Sequence, residues 1–230
     1  RSAPVGDYKD LETLREFARG KDVITFDHEH VPTEFLQALI AEGVNVQPHP
    51  DALQYAQDKL MMRQAVEDLG LPNPRWARVE TLDELLAFGD GIGWPMVLKT
   101  PRGGYDGKGV MVLDSLQHAR EQAAAWFAEL PHRTDFSALL AEEKVPFTRE
   151  LSALVARRES GQVLPWPVVE TIQVNSVCDE VIAPAPNLSP AIARAASDAA
   201  VTLATELGVT GVMAAELFEA PDSSAGFYIN

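Results

Sequence analysis

The chain has 230 residues, 46% of them hydrophobic, which suits one large or two small globular domains. A net charge of −15 argues against a general nucleic-acid binder, which presents a basic face. The lone cysteine, Cys178, excludes an intrachain disulfide and fits a reducing cytoplasm, and no apolar run approaches the roughly 20 residues of a membrane helix.

Residues 1–50 read as the tail of an α/β unit. A helix is expected over 11–19, with Leu11, Leu14 and Phe17/Ala18 on one face. A short β-rich run over 23–26 reads as a buried strand ending in Asp27-His28-Glu29-His30. Ligands gather at strand C-termini in α/β sheets, yet polar surface explains this cluster more simply than a metal site does. A helix over 33–42, stopped by Gly43, and a strand over 44–47 follow. Positions 51–69 read as one helix with Met61, Ala65 and Leu69 on one face, stopped by Gly70 and Pro72. Pro72-Asn73-Pro74 is the best linker. A short helix is expected over 81–88, capped by Thr81 and Glu84 in a Thr-x-x-Glu pattern. Gly89 to Gly93 then lead into the next stretch.

The stretch 94–113 organises the rest. An apolar run ends in Lys99, glycines follow at Gly103, Gly104, Gly107 and Gly109, and a second apolar run comes straight after. Both flanks look like buried strands, so a strand–loop–strand flap is expected. A dinucleotide fingerprint or a P-loop needs a helix after its glycines, and here Lys108 is followed by Gly109 instead of Ser or Thr. Backbone N–H groups of such a loop can still cradle an anion, with Lys99 and Lys108 adding charge. The bland alternative is a hairpin turned by Asp106-Gly107.

Downstream, 115–130 reads as one helix and 138–143 as an apolar run ending in carboxylates. Strands are expected over 150–157, with Leu151, Ala153 and Val155 on one face, and over 163–173, where Pro165 and Pro167 argue for an edge or a bulge. Ser189 as N-cap and Pro190 at the first position start a helix carrying Ile192, Ala196, Ala199 and Leu203, stopped by Gly208. Closing strands are expected over 212–220 and 226–229.

Four features stand together. Lys59 lies on a helix, Lys99 ends a strand before the glycines, Glu142 and Glu150 flank a short connection, and Glu216 interrupts an apolar run where a charge needs a reason. Two cations and several carboxylates fit a nucleoside triphosphate with Mg²⁺, Glu216 holding the metal and Glu150 the ribose hydroxyls.

The order of these segments resembles the ATP-grasp superfamily, closest to its N5-carboxyaminoimidazole ribonucleotide synthetase family. The carrying segments are Thr25-Phe26-Asp27-His28-Glu29-His30, Gln57-Asp58-Lys59-Leu60, Val97-Leu98-Lys99-Thr100, Gly103-Gly104-Tyr105-Asp106-Gly107-Lys108-Gly109, Met213-Ala214-Ala215-Glu216-Leu217-Phe218 and Tyr228-Ile229-Asn230. The resemblance implies a mixed α/β and α+β chain: an ATP-grasp fold preceded by part of a Rossmann-like pre-ATP-grasp domain. The divisions expected are 1–50 for the latter, 51–74 for a helical connection, 75–140 for the small ATP-grasp subdomain and 141–230 for the large one. It implies that Lys59, Lys99, Gly103 and Gly104 contact ATP phosphates, that Glu142, Glu143 and Val145 read the adenine edge, and that Glu150 holds the ribose. Tyr105, Asp106 and Lys108 are then catalytic flap residues. Tyr105, Asp106 and Glu29 face 5-aminoimidazole ribonucleotide, and Glu216 with Asn230 binds Mg²⁺. Bicarbonate is the implied co-substrate, and a cytoplasmic homodimer with no nucleic-acid or membrane partner is expected. The family has an earlier glycine-turn strand and continues beyond Ile-Asn with a second metal glutamate, so the chain reads as an internal section of a longer enzyme. The rivals are a biotin carboxylase-like or formate-dependent transformylase-like ligase, and a nucleotide-binding module without catalysis.

Overall fold

The computed structural model describes residues 5–104 and 109–230. The first part holds helix α1 (Leu11–Ala18), capped by the Asp10 carboxylate on the Thr13 N–H at 2.7 Å, and helix α2 (Thr33–Ala41). The runs expected as strands at 23–26 and 44–47 meet only in one parallel bridge, Ile24 to Val46. Neither pairs with another strand among the described residues, so neither builds a ladder. Ile24, Val46, Leu36, Leu39 and Leu53 still form a small core.

The single helix expected over 51–69 is two helices, α3 (Pro50–Gln57) and α4 (Lys59–Asp68). Asp58 stands between them in extended conformation, and its carboxylate accepts from the N–H groups of Leu60 at 3.0 Å and Met61 at 3.2 Å. A side chain that satisfies the first free donors of a helix starts it afresh.

The second part is a four-stranded antiparallel sheet. It contains β1 (Trp76–Val79), β2 (Met96–Lys99), β3 (Val110–Leu113) and β4 (Leu139–Glu143), in the order β1-β4-β2-β3. Between β1 and β2 runs α5 (Leu82–Ile92), with Thr81 Oγ accepting from the Glu84 N–H at 3.2 Å. This helix outlasts the expected end at 88 because Gly89 lets the Trp94 ring lie against it, where a Cβ would meet the ring at 2.4 Å. The strand β3 is not buried as expected: as an edge strand with one neighbour it leaves Val110 and Val112 exposed. The helix expected over 115–130 breaks at Ala123 into α6 (Leu116–Gln122) and α7 (Ala124–Glu129). The break lets Leu116, Trp126 and Phe127 all pack on the core of Leu85, Met96, Leu98 and Leu113.

The third part is a larger antiparallel sheet. Its strands are β5 (Arg149–Arg157), β6 (Val163–Pro165), β7 (Val169–Val174), β8 (Val177–Ile182), β9 (Gly211–Glu219) and β10 (Phe227–Ile229), in the order β10-β9-β5-β7-β8 with β6 on β5. The single strand expected over 163–173 is two: β6, which carries Pro165, pairs with β5 alone among the described strands, whereas β7 lies inside the sheet between β5 and β8. The sequence reading missed β8, which is exposed and turns from β7 through Asn175 and Ser176, both at positive φ. Helix α8 (Pro190–Glu206) covers the inner face, where Leu151, Ala153, Val155 and Leu217 meet Ala196, Ala199, Ala200 and Leu203. Its Ser189 makes no side-chain capping bond, contrary to expectation, and Pro190 alone marks the start.

Candidate active site

The break at Asp58 builds the first half of the site. It places Lys59 at the first position of α4, and the Lys59 N–H donates to the Pro101 carbonyl at 3.0 Å. The Arg102 guanidinium donates to the second Asp58 oxygen at 2.8 Å. The segment leaving β2 is thus tied to the N-terminus of α4, whose first N–H groups are taken by the Pro101 carbonyl and by Asp58. Thr100 N–H donates to the Gly109 carbonyl at 2.9 Å, closing the far side. Gly109 has φ +72° and a Cβ there would stand 2.3 Å from Thr100 Oγ1, so only glycine fits this closure.

Lys59, Arg102, Gly103 and Gly104 line one cleft with Glu29 and His30 from the first part. Lys59 is half-buried, and burial followed by the nearby Lys99 charge lowers its pKa from the ordinary lysine value. The carboxylates of Glu29, Glu142 and Asp58 offset the shift in part.

Lys99 ends β2, and its ammonium lies 2.6 Å from one Glu142 oxygen. The other oxygen is taken by the Arg63 guanidinium. Glu142 is 3% exposed and Arg63 1%. Burial opposes ionisation of Glu142, yet Arg63 and Lys99 together hold its pKa below the ordinary value. Its carboxylate is therefore committed to two cations, while Val145, three residues on, is buried. Glu143 is likewise engaged, accepting from the Arg75 N–H at 2.8 Å and side chain at 2.7 Å.

The second half lies on the open face of the larger sheet. Ser152 pairs with Glu216 across β5 and β9, and Glu150 pairs with Phe218, so alternation puts Glu150, Ser152, Glu216 and Phe218 on one face. Glu216 is exposed, which removes the premise that its charge sits in an apolar interior: Ala215 and Leu217 turn inward and Glu216 outward. Burial, then the charge of Glu216, raises the pKa of Glu150. Asn230 follows β10, its N–H donating to the Glu216 carbonyl at 2.9 Å and its amide reaching a Glu216 carboxylate oxygen at 3.5 Å. The donor set of carboxylate and amide oxygens suits a hard cation such as Mg²⁺, although no cluster of three or more His, Cys, Asp or Glu side chains is present among the described residues.

The structure thus gathers Lys59, Gly103, Gly104 and Glu29 in one cleft, sets Lys99 and Glu142 beside it, and groups Glu150, Glu216 and Asn230 on the larger sheet. Tyr105, Asp106 and Lys108 lie outside the described residues. Sequence reasoning missed Arg63, Arg102 and Asp58. The available signal for Arg63 was its spacing of four from Lys59, which puts both on one face of α4.

A model of the ATP-grasp domain matches residues 64–228. The chain belongs to the ATP-grasp family. A model of the ribonucleotide synthetase pre-ATP-grasp domain matches residues 1–57. The N5-carboxyaminoimidazole ribonucleotide synthase of Mycobacterium tuberculosis H37Rv is 49% identical over 220 residues, covering 96% of this chain and 50% of that protein. The chain therefore spans about half the length of the curated relatives it matches. A solved N5-carboxyaminoimidazole ribonucleotide synthetase in its ADP complex aligns with a TM-score of 0.84 at 32% identity, over 98% of this chain and 57% of that one. The Aspergillus clavatus synthase, solved with ADP and 5-aminoimidazole ribonucleotide, aligns with a TM-score of 0.82 at 29% identity, over 98% and 56%. No helix among the described residues of this ATP-grasp chain is long and apolar enough to cross a membrane.

Proposed function

We propose that the intact protein carboxylates the amine of 5-aminoimidazole ribonucleotide to N5-carboxyaminoimidazole ribonucleotide, using ATP and bicarbonate, in de novo purine biosynthesis. It is then an ADP-forming C–N ligase. The observation that carries this reading is Lys59 in one cleft with the tethered Gly103 and Gly104, with the Lys99 charge close enough to lower its pKa and the carboxylates of Glu29, Glu142 and Asp58 around it. Similarity to the named relatives supports the choice of acceptor.

In this reading bicarbonate attacks the terminal phosphorus of ATP, giving carboxyphosphate and ADP. The amine then attacks the carboxyl carbon, or CO₂ released from it, and phosphate leaves. Lys59, Lys99, Gly103 and Gly104 hold the phosphates, the hinge of Glu142, Glu143 and Val145 faces the adenine edge partly through backbone groups, and Glu150 accepts from the ribose. Glu216 and Asn230 hold Mg²⁺, which supplies charge neutralisation at the phosphates. Tyr105 and Asp106 face the ribonucleotide with Glu29, Asp106 at its amine, and Lys108 adds charge to the flap that excludes water from carboxyphosphate. We further propose the division 1–50, 51–74, 75–140 and 141–230, and action as a cytoplasmic homodimer.

The test is ADP release by the intact protein with bicarbonate and either 5-aminoimidazole ribonucleotide, biotin or glycinamide ribonucleotide. Release dependent on the first acceptor alone supports the reading, and dependence on another overturns it. Asp106→Asn sharpens the test, since Asn keeps an acceptor but loses the charge that receives the amine proton. It is expected to leave ATP affinity within about threefold while cutting carboxylation roughly 10²-fold or more. Parallel loss of both returns Asp106 to a turn-forming role.

A further inference from the structure

We propose that Arg63 is a positioning residue that keeps Lys99 available to nucleotide by serving as the standing counter-ion of Glu142. This inference rests on the reading of Lys99 as a phosphate contact. The geometry is a relay through one buried carboxylate. Arg63 holds one Glu142 oxygen and Lys99 the other, the latter at 2.6 Å. Arg63 itself is fixed: one terminal nitrogen donates to the Ile229 carbonyl at 2.6 Å and to the Asn73 side chain at 3.2 Å, and Asn73 returns a bond to the Arg63 carbonyl at 3.0 Å. The Asn73 side chain and the Ile229 carbonyl thus anchor the guanidinium from outside α4.

Lys99 is less enclosed, with its side chain 14% exposed against 1% for Arg63. When a phosphate draws Lys99 away, Glu142 stays buried. Stranding a buried carboxylate without a partner is costly, so the exchange is easy only if a second cation remains in place. Arg63 is that cation. Its contact with the Ile229 carbonyl also fixes β10 one residue before Asn230, which meets Glu216. One side chain thereby joins both halves of the site.

A purely structural ion pair predicts lost stability. The proposal predicts in addition that the effect on nucleotide affinity runs through Lys99. The experiment is a double-mutant cycle on the intact protein, with ATP affinity in the presence of Mg²⁺ read by calorimetry for the unsubstituted protein, Arg63→Gln, Lys99→Ala and the pair. Arg63→Gln is expected to weaken ATP binding about tenfold when Lys99 is present and less than about twofold in the Lys99→Ala background. Equal losses in both backgrounds, or no loss in either, overturn the proposal. If Arg63→Gln does not fold, Arg63→Lys runs the same cycle, with about threefold expected against none. Absence of ATP binding by the unsubstituted protein overturns the functional reading itself, and is seen before any variant is compared.

Discussion

Two carboxylate groups of this site are built on opposite plans. Glu142 lies in the smaller sheet, buried and flanked by Arg63 and Lys99, with its pKa lowered. Glu150 and Glu216 share the other face of the larger sheet as diagonal neighbours across β5 and β9, and burial first, then the like charge of Glu216, raises the pKa of Glu150. The first carboxylate has its cations built into the fold. The second pair repels and gains from a cation brought from outside. A complete ion pair serves architecture, whereas two like charges near each other gain from a nearby cation.

The largest expected effect tests the second plan. Glu216→Gln preserves shape and relieves repulsion, so the fold is expected to persist while turnover of the intact enzyme is abolished at ordinary Mg²⁺. Near-normal ADP production would remove Glu216 from the metal and break the comparison at once.

Next comes stability, where the two groups are expected to part. Glu142→Ala leaves Arg63 buried without its anion, and removing one member of a buried pair costs about 3–5 kcal/mol. Glu150→Gln removes a repelled charge, so its urea midpoint is expected to stay level or rise. Urea denaturation of both variants decides. Equal losses would mean that Glu150 is as structural as Glu142.

Lys99→Ala touches the border between the plans. A charge-assisted contact is worth ~1.5–3 kcal/mol, or roughly ten- to hundredfold in ATP affinity. Unchanged affinity in calorimetry would leave Lys99 as a partner of Glu142 only.

Local signals in the sequence were enough for much of the fold. Thr81 and Glu84 announced α5, Pro190 announced α8, and the alternation of Leu151, Ala153 and Val155 announced β5 with its correct inner face. What could not be read depends on distant partners. Asp58 ends α3 because it caps α4 and holds Arg102, 44 residues away. Arg63 looks like a helix-surface charge until Glu142, 79 residues on, arrives beside it. The same limit governs Glu216, whose apolar neighbours suggested burial although the β9 alternation turns it outward. Strand β8 escaped notice because Asp179 and Glu180 lie exposed among its valines and no inner face marks it.

The smallest expected effect is in the acid limb of stability, and it sharpens the comparison by its sign. The native pKa of Glu142 lies below the ordinary 4.5. Its pair therefore contributes stability that is fully present above pH 4.5 and is lost as pH falls through the lower native value. Glu150 runs the other way. Its native pKa lies above 4.5, so the native state takes up a proton first and gains stability as pH falls from the raised value toward 4.5. In chelator, urea midpoints measured across the acid range are thus expected to rise slightly before they fall. Glu150→Gln removes the rise, because the titrating group is gone. Glu142→Gln removes part of the fall below 4.5 and leaves the rise in place. A rise that survives Glu150→Gln, or a fall unaltered by Glu142→Gln, would show that other carboxylates govern the acid limb and that the contrast between the two groups does not reach the stability of the fold.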